Sequence, residues 1–448
     1  MSGTLEQKST PKLELANSRR LQERAHQLIP GGCHTYAKGD DQFPQLSPGF
    51  IARGEGCHVW DVDGNEYVEY NMGGRAVTLG HAYPPLVEAA RRAMLDGANF
   101  TRPAAIEVEC AERFLEMIDG AEMVKFTKDG STATTAALRL SRAYTGRDLV
   151  ACCRSHPFFS YDDWFFSTTA VDAGIPQSGR ELTLTFDYNN LASVQAMFDK
   201  HPDQIAALIL EPCKYEDPQD NFLHAVQALC QKHGTVFILD EMITGFRMHN
   251  GGAQKLYNIT PDLSTWGKGL SSGFALSALA GRREIMELGG LRHDKPRVFL
   301  LSTTHGAETH AMAAAIESMR IYRDEPVVKT LYDQGAKLAQ ACRSVIAAHG
   351  LEEQIAVIGF DCNLVFTTKD AKGSGCQGFR SLLLQELACR GVLAPSLVVS
   401  YCHSDEDIEH TAAAFDGALP VYKQALVNGY ERYLVGPPSK VVYRKYNN

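Results

Sequence analysis

GTVFILDE (residues 234–241) is an unbroken apolar run closed by two acids. A strand with no polar face is buried on both sides, as in a parallel sheet packed between helices. IAALILEP (205–212) repeats the pattern and also ends in an acid, Glu211. Working outward, EMVKFT (122–127), DLVACC (148–153), SALAGR (277–282) and RVFLLSTT (297–304) are predicted as further buried strands. Periodic segments lie between them. In STATTAALRLSRAYTG (131–146), Ala133, Ala136, Ala137, Leu140, Ala143 and Tyr144 fall on one helical face. The alternation predicts an α/β fold, a mostly parallel central sheet with helices on both faces, which binds ligands beyond the strand C-termini.

The flanks read differently. A helix is predicted over 18–28, stopped by Pro30, Gly31 and Gly32, and CHVWDVDGNEYVEY (57–70) alternates like a hairpin turning at Asp63-Gly64. A helix opening at Tyr83, with Pro84 and Pro85 in its first turn, should carry Leu86, Val87, Ala90 and Met94 inward. From Asp324 on, long helices mix with short strands (QIAVIGF, NLVFTT, GVLAPS) in a smaller α+β domain. The expected organisation is an N-terminal segment, 1–70, joining the small domain, a large domain over 71–323, and a C-terminal small domain over 324–448.

Composition narrows the function. Of 448 residues, 44% are hydrophobic and 22% charged, as in an ordinary globular protein, and the net charge of −9 argues against nucleic acid as the main partner. The N-terminus lacks an apolar signal region and no apolar run is long enough to span a membrane, so a cytoplasmic protein without a membrane role is expected, its first fifteen or so residues loosely held. The twelve cysteines include no C-x-x-C pair and signal neither a zinc site nor a redox motif.

Three segments carry chemistry. Asp240, at a strand end, can hold a positive charge on a ligand, and Glu211 makes a cleft lined by carboxylates. In TKDGSTATTAALRL (127–140), a strand, then Gly130, Ser131 and Thr132, then a helix would offer backbone N–H groups and the helix dipole to a phosphate, although an ordinary N-cap has the same appearance. TWGKGLSSG (265–273) holds both a G-x-S-x-G hydrolase pattern around Ser271 and a lysine, Lys268, between glycines. A nucleophile elbow needs a strand immediately before it, and Pro261, Asp262 and Lys268 occupy that place, so the lysine is the stronger reading. An anion site, a carboxylate for a ring nitrogen and an amine for a carbonyl together describe pyridoxal 5'-phosphate (PLP).

At this point the chain resembles the class III aminotransferases, and within them the glutamate-1-semialdehyde 2,1-aminomutase group. The resemblance rests on IPGG (29–32), DVDGNEYVEY (61–70), LGHAYP (79–84), DGSTAT (129–134), ILDEMITGFR (238–247), PDLSTWGKGLSSG (261–273) and LAPS (393–396). It implies a fold type I PLP-dependent transferase, working as a homodimer with shared active sites. It also implies Asp240 at the pyridine nitrogen, Lys268 as the Schiff-base lysine, and Met242 and Phe158 on the two ring faces, with His156 as an alternative to Phe158. Glu211 matches the family's Glu-Pro acid. Thr304, or its neighbour Thr303, matches the threonine that reaches the phosphate from the partner subunit.

The substrate side departs from the aminomutases. GGCHTYAK (31–38) puts Thr35 and Lys38 where that group has a serine and a carboxylate-binding arginine, and Gly74 and Arg75 stand where it has tryptophan and glycine. Lysine does not replace a bidentate arginine without consequence. The resemblance with these changes implies an enzyme that moves an amino group from a small-molecule donor such as glutamate to a keto or aldehyde acceptor, in sugar, polysaccharide or secondary metabolism, with aminomutase chemistry as the alternative.

Overall fold

A computed structural model describes residues 13–156 and 158–447. Most of the leading segment expected to be loose, residues 1–12, lies outside them. By its contacts the chain divides into two units. The larger is Gly73–Thr330 with the segment from Tyr443 on; the smaller takes the described residues up to Met72 and Leu331–Val442. The tail from Tyr443, expected with the C-terminal domain, groups with the large unit, where the Tyr443 ring meets Phe166 edge-on at 5.8 Å. One division falls after Thr330 rather than 323, within the first turn of the helix Val327–Ala348.

The smaller unit holds β1 (Ile51–Glu55), β2 (His58–Asp61) and β3 (Glu66–Glu69). β2 and β3 form the predicted hairpin, pairing His58 with Val68 and Trp60 with Glu66. The larger unit is built on β4 (Met123–Thr127), β5 (Leu149–Cys153), β6 (Thr183–Phe186), β7 (Ile205–Leu210), β8 (Val236–Asp240), β9 (Leu263–Trp266) and β10 (Ser277–Gly281), in the order β4-β10-β9-β8-β7-β5-β6. β10 alone runs against the direction of the other six strands. In the smaller unit β11 (Ile355–Phe360) pairs with β12 (Asn363–Thr368), and β13 (Val392–Leu393) joins β3.

Both faces of the large sheet are covered, as its apolar strands require. Val150, Cys152, Ala207, Ile209, Val236 and Ile238 enter one core cluster, while Ala151, Cys153, Leu208, Leu210, Phe237 and Leu239 enter another. The two sets alternate along each strand, which is the period-2 geometry of a pleated chain. Trp266, fully buried, closes the β9 end against Phe114 and Phe246. Burying an indole of that size contributes about 4–6 kcal/mol. The two nearby glycines make room for it: a Cβ on Gly245 or Gly252 would sit 2.6 or 2.5 Å from its ring.

Three expectations fail locally. RVFLLSTT forms no strand: Val298 and Leu300 are buried and Phe299 is exposed, but its backbone bonds run to a turn and a side chain (Val298 N–H to Leu288 O, Arg139 to Phe299 O) instead of to a sheet. Val87 and Met94 lie exposed on the helix Pro84–Leu95, which buries only Leu86 and Ala90. Ala143 and Tyr144 likewise face outward at the end of the helix Gly130–Thr145.

Candidate active site

Strand termini place the acids. β7 delivers Glu211 and β8 delivers Asp240 at neighbouring C-terminal edges, both almost fully buried. Lys268 follows β9, on a tight turn over Lys268–Leu270. These three side chains lie within one electrostatic field. Burial lowers the Lys268 amine from its ordinary pKa, while Asp240 and Glu211 oppose that shift and Arg75 and Arg247 add to it. Burial pushes Asp240 up to about 6 against the pull of Lys268, and it pushes Glu211 up too, with Asp240 adding to the rise. The result is a partly buried lysine whose amine is held below its ordinary pKa beside two buried carboxylates held above theirs.

Their hydrogen bonds are incomplete. Among the described residues, Asp240 receives bonds at Oδ1 alone, from Met242 N–H (3.0 Å) and the Thr265 hydroxyl (3.1 Å). Glu211 Oε2 is buried with no hydrogen-bond partner. The Glu211 N–H donates to His156 Nδ1 (3.0 Å), which places that ring's proton on Nε2, itself buried and unpartnered. Buried polar groups are nearly always satisfied, so unpaired carboxylate and imidazole atoms gathered in one place make this a candidate site for a polar ligand.

Backbone strain falls on the same residues. Lys268 has φ +46° and Phe246 has φ +60°, left-handed values that cost a side-chain-bearing residue about 1–3 kcal/mol. Around Lys268 the glycines are required by packing. A Cβ on Gly267 would sit 2.6 Å from Ser277 Oγ and 2.7 Å from the Met242 sulfur, and one on Gly269 would crowd Thr78, Phe246 and Tyr322. Met72, Gly73, Gly74 and Arg75 form a single left-handed helical turn, with φ between +45° and +74°.

The structure also locates the other expected residues. Gly130 lies beside Met242, whose sulfur would be 2.9 Å from a Cβ there. Asp129 caps the helix by accepting from Thr132 N–H (2.8 Å) and its hydroxyl (3.0 Å), while Ser131 Oγ accepts from Tyr161 N–H. Asp129 therefore already occupies the Thr132 N–H. Phe158 is 47% exposed and lies edge-on to Phe165 and Phe166, whereas His156 is bonded to Glu211. Thr304 is exposed, its carbonyl accepting from Asn99. Thr35 and Lys38 are exposed in the smaller unit, on a short turn closed by Lys38 N–H to Thr35 O (2.8 Å). Arg247, a further basic residue of the motif, is fully buried and bonds Thr78.

Two residues escaped the sequence reading. Thr265 supports Asp240. Lys214, three residues after Glu211 in EPCK, has its amine lowered by burial in the fields of Glu211 and Arg75; a lysine so close to a strand-terminal acid was the available signal. The elbow argument also needs correction. A strand, Leu263–Trp266, does lie ahead of G-x-S-x-G, unmarked by its short polar sequence. Ser271 is disqualified on other grounds: its buried hydroxyl donates to Phe274 O at 2.6 Å.

Residues 36–419 match the family described as Aminotransferase class-III. The glutamate-1-semialdehyde 2,1-aminomutase of Persephonella marina is 32% identical over 92% of this chain and 100% of its own length. A structure of the PLP internal aldimine form of the Sphingopyxis sp. MTA144 FumI protein superposes with a TM-score of 0.84 at 28% identity, covering 95% of this chain and 99% of that one. An omega-transaminase from Sphaerobacter thermophilus shares the fold, with a TM-score of 0.82 at 24% identity over 92% and 99% of the two chains. The apolar strands that end in Glu211 and Asp240, the strained lysine after β9 and a match over most of the length agree: the chain belongs to the class III aminotransferases.

Proposed function

We propose that this protein is a PLP-dependent aminotransferase that takes an amino group from a donor such as glutamate and passes it to a keto or aldehyde acceptor. The reading rests on one observation, partly buried Lys268 beside buried Asp240 and Glu211, with hydrogen-bonding positions left open on the two acids. Those positions fit the cofactor: a carboxylate for a cationic ring nitrogen, an amine for a carbonyl and a helix N-terminus for a phosphate. When bound, PLP supplies a carbonyl carbon that condenses with amines and a ring that delocalises the electron pair left by proton removal.

The chain's own residues do the rest. Asp240 would hold the proton on the ring nitrogen, its Oδ1 already fixed by Met242 and Thr265. Lys268 would hold the cofactor covalently and, once displaced by the donor amine, carry the proton to and from the substrate carbon. Burial lowers its pKa, which favours the neutral amine that both tasks use. Met242, beside Gly130, would pack on one face of the ring, and His156, next to Glu211, suits the other face better than Phe158 does. The N–H groups of Gly130 and Ser131 at the helix start would take the phosphate, while Thr132, expected there too, is engaged by Asp129. Thr304, on the exposed surface, would complete that site in a partner subunit, the assembly being a homodimer.

Arg75, in the field of Glu211, would bind an anionic group of the substrate, Gly74 leaving room beside it; Thr35 and Lys38 are the remaining candidates for that role. Among the described residues no helix is long and apolar enough to cross a membrane, in keeping with a cytoplasmic enzyme acting on small molecules. The aminomutase name of the curated relatives keeps intramolecular transfer as the second reading. Borohydride reduction and peptide mapping should find the pyridoxyl adduct on Lys268; an adduct elsewhere overturns the proposal. Consumption of stoichiometric glutamate with a keto acceptor supports transfer between molecules, and turnover of an amino aldehyde without any acceptor supports the mutase.

A further inference from the structure

In the smaller unit Cys57, His58 and Asp407 each present a ligand atom within 4.8 Å of the others, the one such group of three among the described residues. Cys57 lies between β1 and β2, His58 begins β2, and Asp407 is in the first turn of the helix Asp405–Asn428. Cys57 Sγ is 3.2 Å from Asp407 Oδ2, and His58 Nε2 is 2.9 Å from Asp407 Oδ1. The other ring nitrogen, Nδ1, is 2.9 Å from Glu66 Oε1. Asp407 is itself anchored, its Oδ2 accepting from Ser404 N–H and Oγ, both at 2.8 Å. Cys402 adds a second thiol residue beside the group, its carbonyl oxygen 3.7 Å from Cys57 Sγ.

We propose that Cys57, His58 and Asp407 bind one divalent zinc ion. The chemistry of the set is that of a zinc site: one thiolate, one imidazole and one carboxylate, all common zinc ligands. Glu66 supplies the support such sites have, a carboxylate on the far nitrogen that fixes the ring with Nε2 toward the metal. Charge balances as well: zinc entry sends the Cys57 S–H proton, and any proton carried on His58 Nε2, to solvent, and thiolate, neutral imidazole, carboxylate and Zn²⁺ sum to zero. A tetrahedral ion with bonds of about 2.0–2.3 Å needs ligand separations of about 3.3–3.6 Å; Sγ and Nε2 now lie 3.2 and 2.9 Å from the two oxygens of Asp407, and one ligand atom from each residue falls within 4.8 Å of the others. His58 keeps about a third of its side chain exposed, at 34%, which leaves an entry path and a fourth position for water or Cys402.

The test uses the cofactor-loaded protein, stripped of metal with a chelator and titrated with Co²⁺, the cofactor's own absorption being subtracted. The expected result is one Co²⁺ per chain with tetrahedral d–d bands and a thiolate charge-transfer band, all abolished by one equivalent of Zn²⁺. Cys57→Ala and His58→Gln should each weaken binding at least about 100-fold, and Glu66→Gln, which removes only the support, by about 10–100-fold. Far-UV circular dichroism identifies a variant that fails to fold; His58, partly exposed, gives the variant that folds if Cys57→Ala does not. Failure of the wild type to take up Co²⁺, or equal uptake by the wild type and a folded Cys57 or His58 variant, overturns the proposal. Neither outcome bears on Lys268.

Discussion

Asp240 and Glu241 are consecutive, both buried, and both pushed up in pKa by burial, to about 6 and about 7. Their surroundings differ completely. Glu241 accepts from Ala253 N–H (2.9 Å) and Gln254 N–H (2.6 Å) and from the Thr244 hydroxyl, so both of its oxygens are in use. It ties the loop after β8 to the helix Gly252–Leu256. Asp240 faces the other way in the alternating chain, with bonds to one oxygen and a lysine in its field. Burial and a raised pKa therefore do not by themselves distinguish a working acid from a structural one. The unfilled hydrogen-bonding position does.

This contrast can be tested from both sides. The largest effect is expected at Lys268, the cation that only Asp240 and Glu211 share: Lys268→Ala should lower the transamination half-reaction by about 10⁴-fold, the upper range for a lost proton carrier, while melting near the wild-type temperature. Asp240→Asn should cost about 10²–10³-fold in the same assay. Glu241→Ala should do the reverse. It leaves two buried N–H groups unpaired and should cost about 2–4 kcal/mol in urea unfolding, with activity per folded molecule within about threefold. If Glu241→Ala instead removed activity from folded protein, the division between the two acids would fail.

A smaller effect reads the burial of Asp240 through pH. In the cofactor-free protein the native Asp240 carboxyl titrates near 6, against an ordinary value of 3.8. The native state then binds more protons than the unfolded chain between those values, so this group makes stability fall as pH rises through them, by about 2–3 kcal/mol in all. Asp240→Asn removes that fall. The variant should be the more stable protein above pH 6 and equal to wild type below about pH 4, as read by thermal melts across that range. The smallest expected difference is between the two ring candidates: His156→Ala should weaken cofactor retention about tenfold, one lost ring contact, and Phe158→Ala less than twofold. The opposite order would return the ring face to Phe158.

The sequence shows burial more clearly than it shows geometry. β7 and β8 were legible because strands covered on both faces have almost no choice but apolar residues, and the acids at their ends then stand out. Thr183–Phe186, at the sheet edge, and Leu263–Trp266 were missed because half their residues are polar. RVFLLSTT was overread because alternate burial arises wherever an extended segment lies on a core, with or without a sheet partner. At the site, Lys268 and Asp240 were legible as types in a spacing. The left-handed backbone at Lys268, the bond from Glu211 to His156 and the support of Thr265 depend on dihedrals and approaches that residue identity does not record. The Cys57–His58–Asp407 group was hidden for another reason, the sequence separation of 349 between His58 and Asp407.

The left-handed turn at Met72–Arg75 has a consequence for how this chain changes over generations. Glycine holds such a φ without penalty and asparagine with little, whereas a long side chain is strained there. Mutation alone would move position 75 towards those two residues, since either relieves the backbone. A Cβ at Gly74 would touch nothing, so the handedness of the turn, and not its space, keeps that position small. An arginine that persists beside it is maintained against a standing bias, and its persistence or loss among close descendants of this sequence becomes a record of whether the anion-binding role proposed for it is still being used.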